Sequence, residues 1–150
     1  MFKWLLTAMA VPGNSNSDAD GIQGAQLRIA RPTDQMEAVV AFYRDGLGFN
    51  ELGGFKDHEG FDGVMLGHAN APYHLEFTHH HGGHAGSAPG QDNLLVFYLP
   101  EASVWEVAIK RMKKHGYEPV PSYNPYWDVH GKTFQDPDGY RVVLQNAAWR

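Results

Sequence analysis

The sequence contains no cysteine, which excludes disulfides and thiolate chemistry and leaves any zinc-type site to His, Asp or Glu. That absence fits a reducing compartment, so a cytoplasmic location is expected. Positive charge is scarce. The net charge is −5 and no Lys/Arg stripe occurs, which argues against a nucleic-acid partner. Long apolar runs are missing too, so no membrane partner is expected. Residues 1–10 carry one Lys, a short apolar stretch and Ala8-Met9-Ala10, the outline of a signal peptide, but the stretch is too short for one. Residues 1–25 are therefore read as a flexible N-terminal extension, with 11–25 composed like a linker. Deleting residues 1–24 should leave the melting temperature nearly unchanged.

What is present is an ordinary apolar fraction, 43% of 150 residues, enough for one domain or two small ones sharing a core. It is arranged as a repeat. Tyr140-Arg-Val-Val-Leu144 answers Tyr73-His-Leu-Glu-Phe77 at a spacing of 67 residues, and the same spacing carries Gln26-Leu-Arg-Ile29 onto Asn93-Leu-Leu-Val96. Asp136-Pro137-Asp138-Gly139 has the preferences of a type I turn, so the end of the chain reads as strand, turn, strand.

The first copy, 26–78, starts with an alternating strand at Gln26–Ala30 that Pro32 should close. Asp34 and Glu37 suggest a capping box, and Met36, Val39, Val40 and Tyr43 follow at helical spacing until Gly46 and Gly48. Glycine-punctuated apolar segments predict three strands near 49–56, 62–68 and 73–78. Residues 79–92, with four histidines among glycines and no apolar pattern, read as a flexible joint that captures nickel or zinc weakly, without a dedicated metal role. The second copy, 93–146, repeats the plan. It has a strand at 93–98, a capping box at Ser103–Glu106, and a helix with Trp105, Ala108, Ile109 and Met112 on one face. Strands follow at 117–121, 128–134 and 140–146. Each copy is thus a βαβββ unit, and the fold class is α+β, two paired modules forming a concave cleft.

In each unit the helix covers one sheet face, and strand parity leaves the other with Gln26, Arg28, His74, Glu76 and Thr78, then Asn93, Leu95, Phe97, Arg141, Val143 and Gln145. Charges, amides and aromatics mixed on one face resemble a ligand cleft. Tyr123, Tyr126 and Trp127 add an aromatic rim, or else close the core under a loop. Glu76 is open to two roles, a catalytic carboxylate or an ion-pair partner of Arg28 or Arg141. His74 is read as a satisfied polar group rather than a ligand, and His58, His115 and His130 as surface residues.

The paired βαβββ units, Phe42-Tyr43 followed by Gly46-Leu-Gly-Phe49, and the D-P-D-G hairpin together resemble the vicinal oxygen chelate superfamily. Its members include glyoxalase I, extradiol dioxygenases, fosfomycin-resistance enzymes and metal-free bleomycin-binding proteins. The resemblance covers 26–146. It implies metal-ligand positions at Gln26, Glu76, Asn93 and Val143, and Val143 cannot coordinate. Two function classes follow. One is a small-molecule binding protein with no metal cofactor, its ligand held by Gln26, Arg28, His74, Asn93, Phe97, Trp127 and Arg141. The other is a lyase, isomerase or dioxygenase-like enzyme centred on Glu76, with a divalent metal held by Gln26 and Glu76. The resemblance also implies a homodimer.

Overall fold

A computed structural model describes residues 21–150, so the expectations for the N-terminal extension lie largely outside the described residues. Gly21–Gly24 form one exposed 3-10 turn. The first module then runs β1 (Leu27–Pro32), α1 (Met36–Ala41), β2 (Asn50–His58), β3 (Phe61–Gly67) and β4 (Tyr73–His80). The second runs β5 (Leu94–Tyr98), α2 (Ala102–Lys114), the short helix α3 (Tyr126–Val129), β6 (Gly131–Gln135) and β7 (Arg141–Gln145). The sheets have the orders β1-β4-β3-β2 and β5-β7-β6. In each, the first strand pairs in parallel with the last, which pairs antiparallel with its predecessor. The shared topology is what the repeat implied.

Several local readings are corrected. β1 continues through Pro32, because it is an edge strand and has no outer neighbour to lack a donor for. Neither capping box forms. Asp34 is taken instead by the Ala85 N–H and by His84, both at 2.9 Å, while Thr33 Oγ1 accepts from Gln35 N. α2 begins ahead of Ser103, where Trp105 N donates to Glu101 O, so the serine lies inside the helix. Of the expected strand at 117–121 only one bridge survives, Val120 with Thr133, since Pro119 and Pro121 offer no N–H to a ladder. The start of the strand predicted at 128–134 is helical, and β6 begins at Gly131.

The two modules share one core. Val39, Phe42 and Tyr43 from the first helical segment meet Leu66, Leu75 and Phe77 from β3 and β4, and Ile109, Met112, Phe134, Val142 and Leu144 from the second module. Beside it, the β6–β7 turn is bonded to the first module. Tyr43 donates its hydroxyl to Asp136 Oδ2 at 2.7 Å, and Gln35 Nε2 donates to Pro137 O and Asp138 Oδ1. The Arg31 guanidinium lies 3.9 Å over the Tyr140 ring. Asp136 Oδ1 also accepts from Asp138 N and Tyr140 N, so the turn's carboxylate serves its own loop and the neighbouring module together.

Candidate functional site

Parallel pairing of β1 with β4 sets Arg28 beside His74 and Ala30 beside Glu76. The alternation expected from the sequence therefore holds in this module, and the polar side chains share one face. They form a connected chain. Gln26 Nε2 lies 3.1 Å from His74 Nδ1, Arg28 Nε donates to His74 Nε2 at 2.8 Å, and Arg28 Nη1 donates to Glu76 Oε2 at 3.0 Å. Of the two readings of Glu76, the ion pair with Arg28 is present in the structure. Glu76 is mostly covered and Arg28 about half exposed, so the pair itself contributes about 1 kcal/mol or less to stability. Burial, then the Arg28 charge, hold the His74 pKa below the ordinary histidine value. Among the described residues Arg28 is bonded through Nε and Nη1, and Nη2 makes no hydrogen bond.

The second module departs from expectation by one residue. Leu94 pairs with Arg141, Val96 with Val143 and Tyr98 with Gln145, whereas Leu95 and Phe97 pair with Val142 and Leu144 of the core face. The spacing that carries β1 onto β5 is one residue short of the spacing that carries β4 onto β7. A one-residue slip flips a strand's faces. The counterpart of Arg28 is thus Leu94, and that of Glu76 remains Val143. Phe97 does not line the polar face. Asn93, just before β5, turns its amide back to the Gly90 carbonyl at 3.3 Å.

The polar face of the second module is also closed by its own chain. Arg141 is only 6% exposed, with Nε bonded to Gln135 Oε1 at 3.1 Å and Nη1 to Pro121 O at 3.0 Å. It is not an open anion partner. Ser122 hydrogen-bonds to the buried Thr133, and Val143 and Gln145 are buried as well. Trp127 lies half-buried in the 121–130 segment, edge-on to Tyr126 with centroids 4.9 Å apart. Tyr123 and Tyr126 stay exposed, so the rim expected from the sequence rests on these two rings.

Between the first strands of the two modules lies an apolar recess of about 200 Å³, walled by Leu27, Ile29, Tyr73, Leu75, Leu95, Val96 and Phe97. Phe97 belongs here, 6.0 Å from the Tyr73 ring. Burial raises the pKa of the Tyr73 hydroxyl above the ordinary tyrosine value. Only the pairing of β5 with β7 could have revealed this wall.

The histidine tract is tied down rather than loose. His79 and His84 face Asp34, His81 sits 3.0 Å from Asp62 and 3.4 Å from Asp57, and His80 stacks on Phe61. The Asp57 N–H and then His81 hold the Asp62 carboxyl below the usual range. Among the described residues, no group of three or more His, Asp or Glu side chains is arranged to hold a metal ion. No described helix is long and apolar enough to cross a membrane.

Residues 27–78 match the YycE-like N-terminal domain and residues 92–146 the YycE-like C-terminal domain. The chain is 47% identical over 125 residues to protein YycE of Bacillus subtilis, covering 83% of this chain and 90% of that one. The crystal structure of a Bacillus subtilis YycE protein of unknown function superposes with a TM-score of 0.78 at 46% identity, over 85% of this chain and 93% of that one. Glyoxalase I of Leishmania major gives a TM-score of 0.60 at 20% identity, over 81% and 86%. The fosfomycin resistance protein FosX of Mesorhizobium loti gives 0.60 at 10% identity, over 87% and 94%. At those identities the last two show a shared fold and nothing finer.

Proposed function

We propose that this chain, which belongs to the YycE-like family within the vicinal oxygen chelate superfamily, binds a small anionic molecule on the cleft face of its first module, without a resident metal. The carrying observation is the register of the two first strands. Metal-dependent members of the fold hold their ion with one residue from the first and one from the last strand of each unit. The positions that the resemblance implies are Gln26, Glu76, Asn93 and Val143; Asn93 bonds back to Gly90, and β5 sets Leu94 rather than Asn93 on the face of Val143. Leucine and valine cannot coordinate, and the one carboxylate is already bonded to a guanidinium. These residues do not fit a divalent ion.

The half-exposed arginine on that polar face supports a different recognition chemistry. A guanidinium stays charged at any working pH and binds carboxylate or phosphate oxygens through directed N–H donors. The exposed Tyr123 and Tyr126 rings offer flat apolar cover for the rest of such a ligand. The protein is proposed to act as a homodimer, and a light-scattering mass of one chain at micromolar concentration would exclude that.

Metal content separates this reading from a metal-assisted enzyme centred on Glu76. With His80, His81 and His84 replaced by Gln to stop adventitious capture, purified protein is expected to carry well under one equivalent of nickel, zinc, iron or manganese. Glu76→Gln on that background should leave metal content unchanged while altering ligand affinity, because it leaves Arg28 without its carboxylate. One full equivalent of metal, abolished by Glu76→Gln, would overturn the proposal and make the chain an enzyme.

A further inference from the structure

An exposed arginine is a poor receptor unless something fixes its plane. An ion pair with Glu76 alone anchors one terminal nitrogen and lets the guanidinium swing. The second anchor is His74, whose Nε2 receives Arg28 Nε–H at 2.8 Å. Two anchors on different nitrogens define the guanidinium plane, and Nη2 is the nitrogen that neither anchor uses.

The bond also dictates the chemistry of the ring. Arg28 Nε–H can only donate, so His74 Nε2 must carry a lone pair, and a neutral imidazole then holds its proton on Nδ1. Gln26 stands at that nitrogen, 3.1 Å away, and a half-turn of its amide presents the oxygen as acceptor. His74 is held from behind as well. Its Cβ lies so close to β3 that a Cβ on Gly67 would meet it at 3.0 Å.

We propose that His74, fixed as the Nδ1–H tautomer between Gln26 and Arg28, is the positioning residue that holds Arg28 Nη2 toward an anionic oxygen of the ligand. The inference rests on the anion-binding reading above, but its first test needs no ligand. In uniformly 15N-labelled full chain, long-range proton–nitrogen spectra should show His74 Nε2 unprotonated and Nδ1 protonated, and Arg28 Nε–H should be visible and slow to exchange. His74→Gln, whose amide oxygen can accept from Arg28, should keep the slow Arg28 signal. His74→Leu should lose it, in protein whose amide spectrum remains dispersed.

Inorganic phosphate at constant ionic strength is the binding probe. The Arg28 shift is expected to saturate with phosphate, about tenfold more weakly in His74→Leu, with most of the affinity restored in His74→Gln. A His74 ring protonated on Nε2, or an Arg28 signal unchanged in His74→Leu, would overturn the assignment of His74. A correct tautomer with no Arg28 response to phosphate leaves that assignment standing and removes the anion-binding reading instead.

Discussion

Asp136→Ala is expected to lower the unfolding free energy by about 3 kcal/mol, in the upper tail for a single substitution. The carboxylate accepts from the fully buried Tyr43 hydroxyl and from two N–H groups of its own turn, so truncation strands three donors at once. The damage reaches beyond the turn, because Tyr43 packs against Phe42, Phe49 and Phe77 of the first module. Asp136→Asn should cost far less. Its oxygen can keep the two N–H bonds, and its amide can donate to the tyrosine oxygen.

The pair also separates by pH. Burial raises the Asp136 pKa in the folded state, and its hydrogen bonds only partly offset that. A raised carboxyl pKa means the fold binds this proton more tightly than the unfolded chain does. The stabilisation is fully present below the unfolded-state pKa of about 3.9 and is lost as pH rises through the folded-state value. Asp136→Asn cannot titrate and should lack that acid-side contribution. Urea unfolding of the three proteins between roughly pH 3.5 and 7 reads both effects. An Asp136→Ala loss under about 1 kcal/mol would mean that the turn does not bind the modules together.

The last strand of each module was legible because Tyr73–Phe77 and Tyr140–Leu144 echo each other at one spacing and the second follows a type I turn. The polar face of the first module was legible from alternation: Arg28, His74 and Glu76 alternate with apolar residues, and strand parity alone puts them on one face. β5 defeats that logic. Leu94-Leu-Val-Phe-Tyr98 is apolar on both faces, so nothing in its composition says which side turns inward, and a repeat spacing taken from the last strands misplaces it by one residue. Asp34 failed differently. Its local partner Glu37 made a plausible cap, but the histidines and the Ala85 N–H that take it come from a segment about fifty residues away. Arg141 looked available because its cover, the 121–130 segment, is aromatic enough to pass for a binding loop.

That cover gives the second large effect, at Gly131. This glycine is buried at the start of β6, and a Cβ there would stand 2.6 Å from the Trp127 carbonyl, 3.2 Å from Val143 Cγ1 and hard against the Gln145 amide oxygen. A side-chain end can move aside, but the carbonyl belongs to α3. Gly131→Ala therefore has to push α3 off the sheet or bend β6. Overpacking of this kind costs about 2–3 kcal/mol. The loosened part is identifiable. Trp127 N and Asp128 N bond back to Asn124 O and Pro125 O, and their amides should exchange faster with solvent than in the parent protein, while β4 amides stay protected. Since α3 and its flanks hold Tyr123 and Tyr126 at the rim, Gly131→Ala should also weaken an aromatic anion more than it weakens inorganic phosphate, which needs Arg28 alone. Lys132→Ala, one residue along and exposed, is the control expected to change neither. Equal losses for both ligands would mean that the aromatic rim takes no part in binding. Unchanged stability in Gly131→Ala would mean that the 121–130 segment does not close the second module's face.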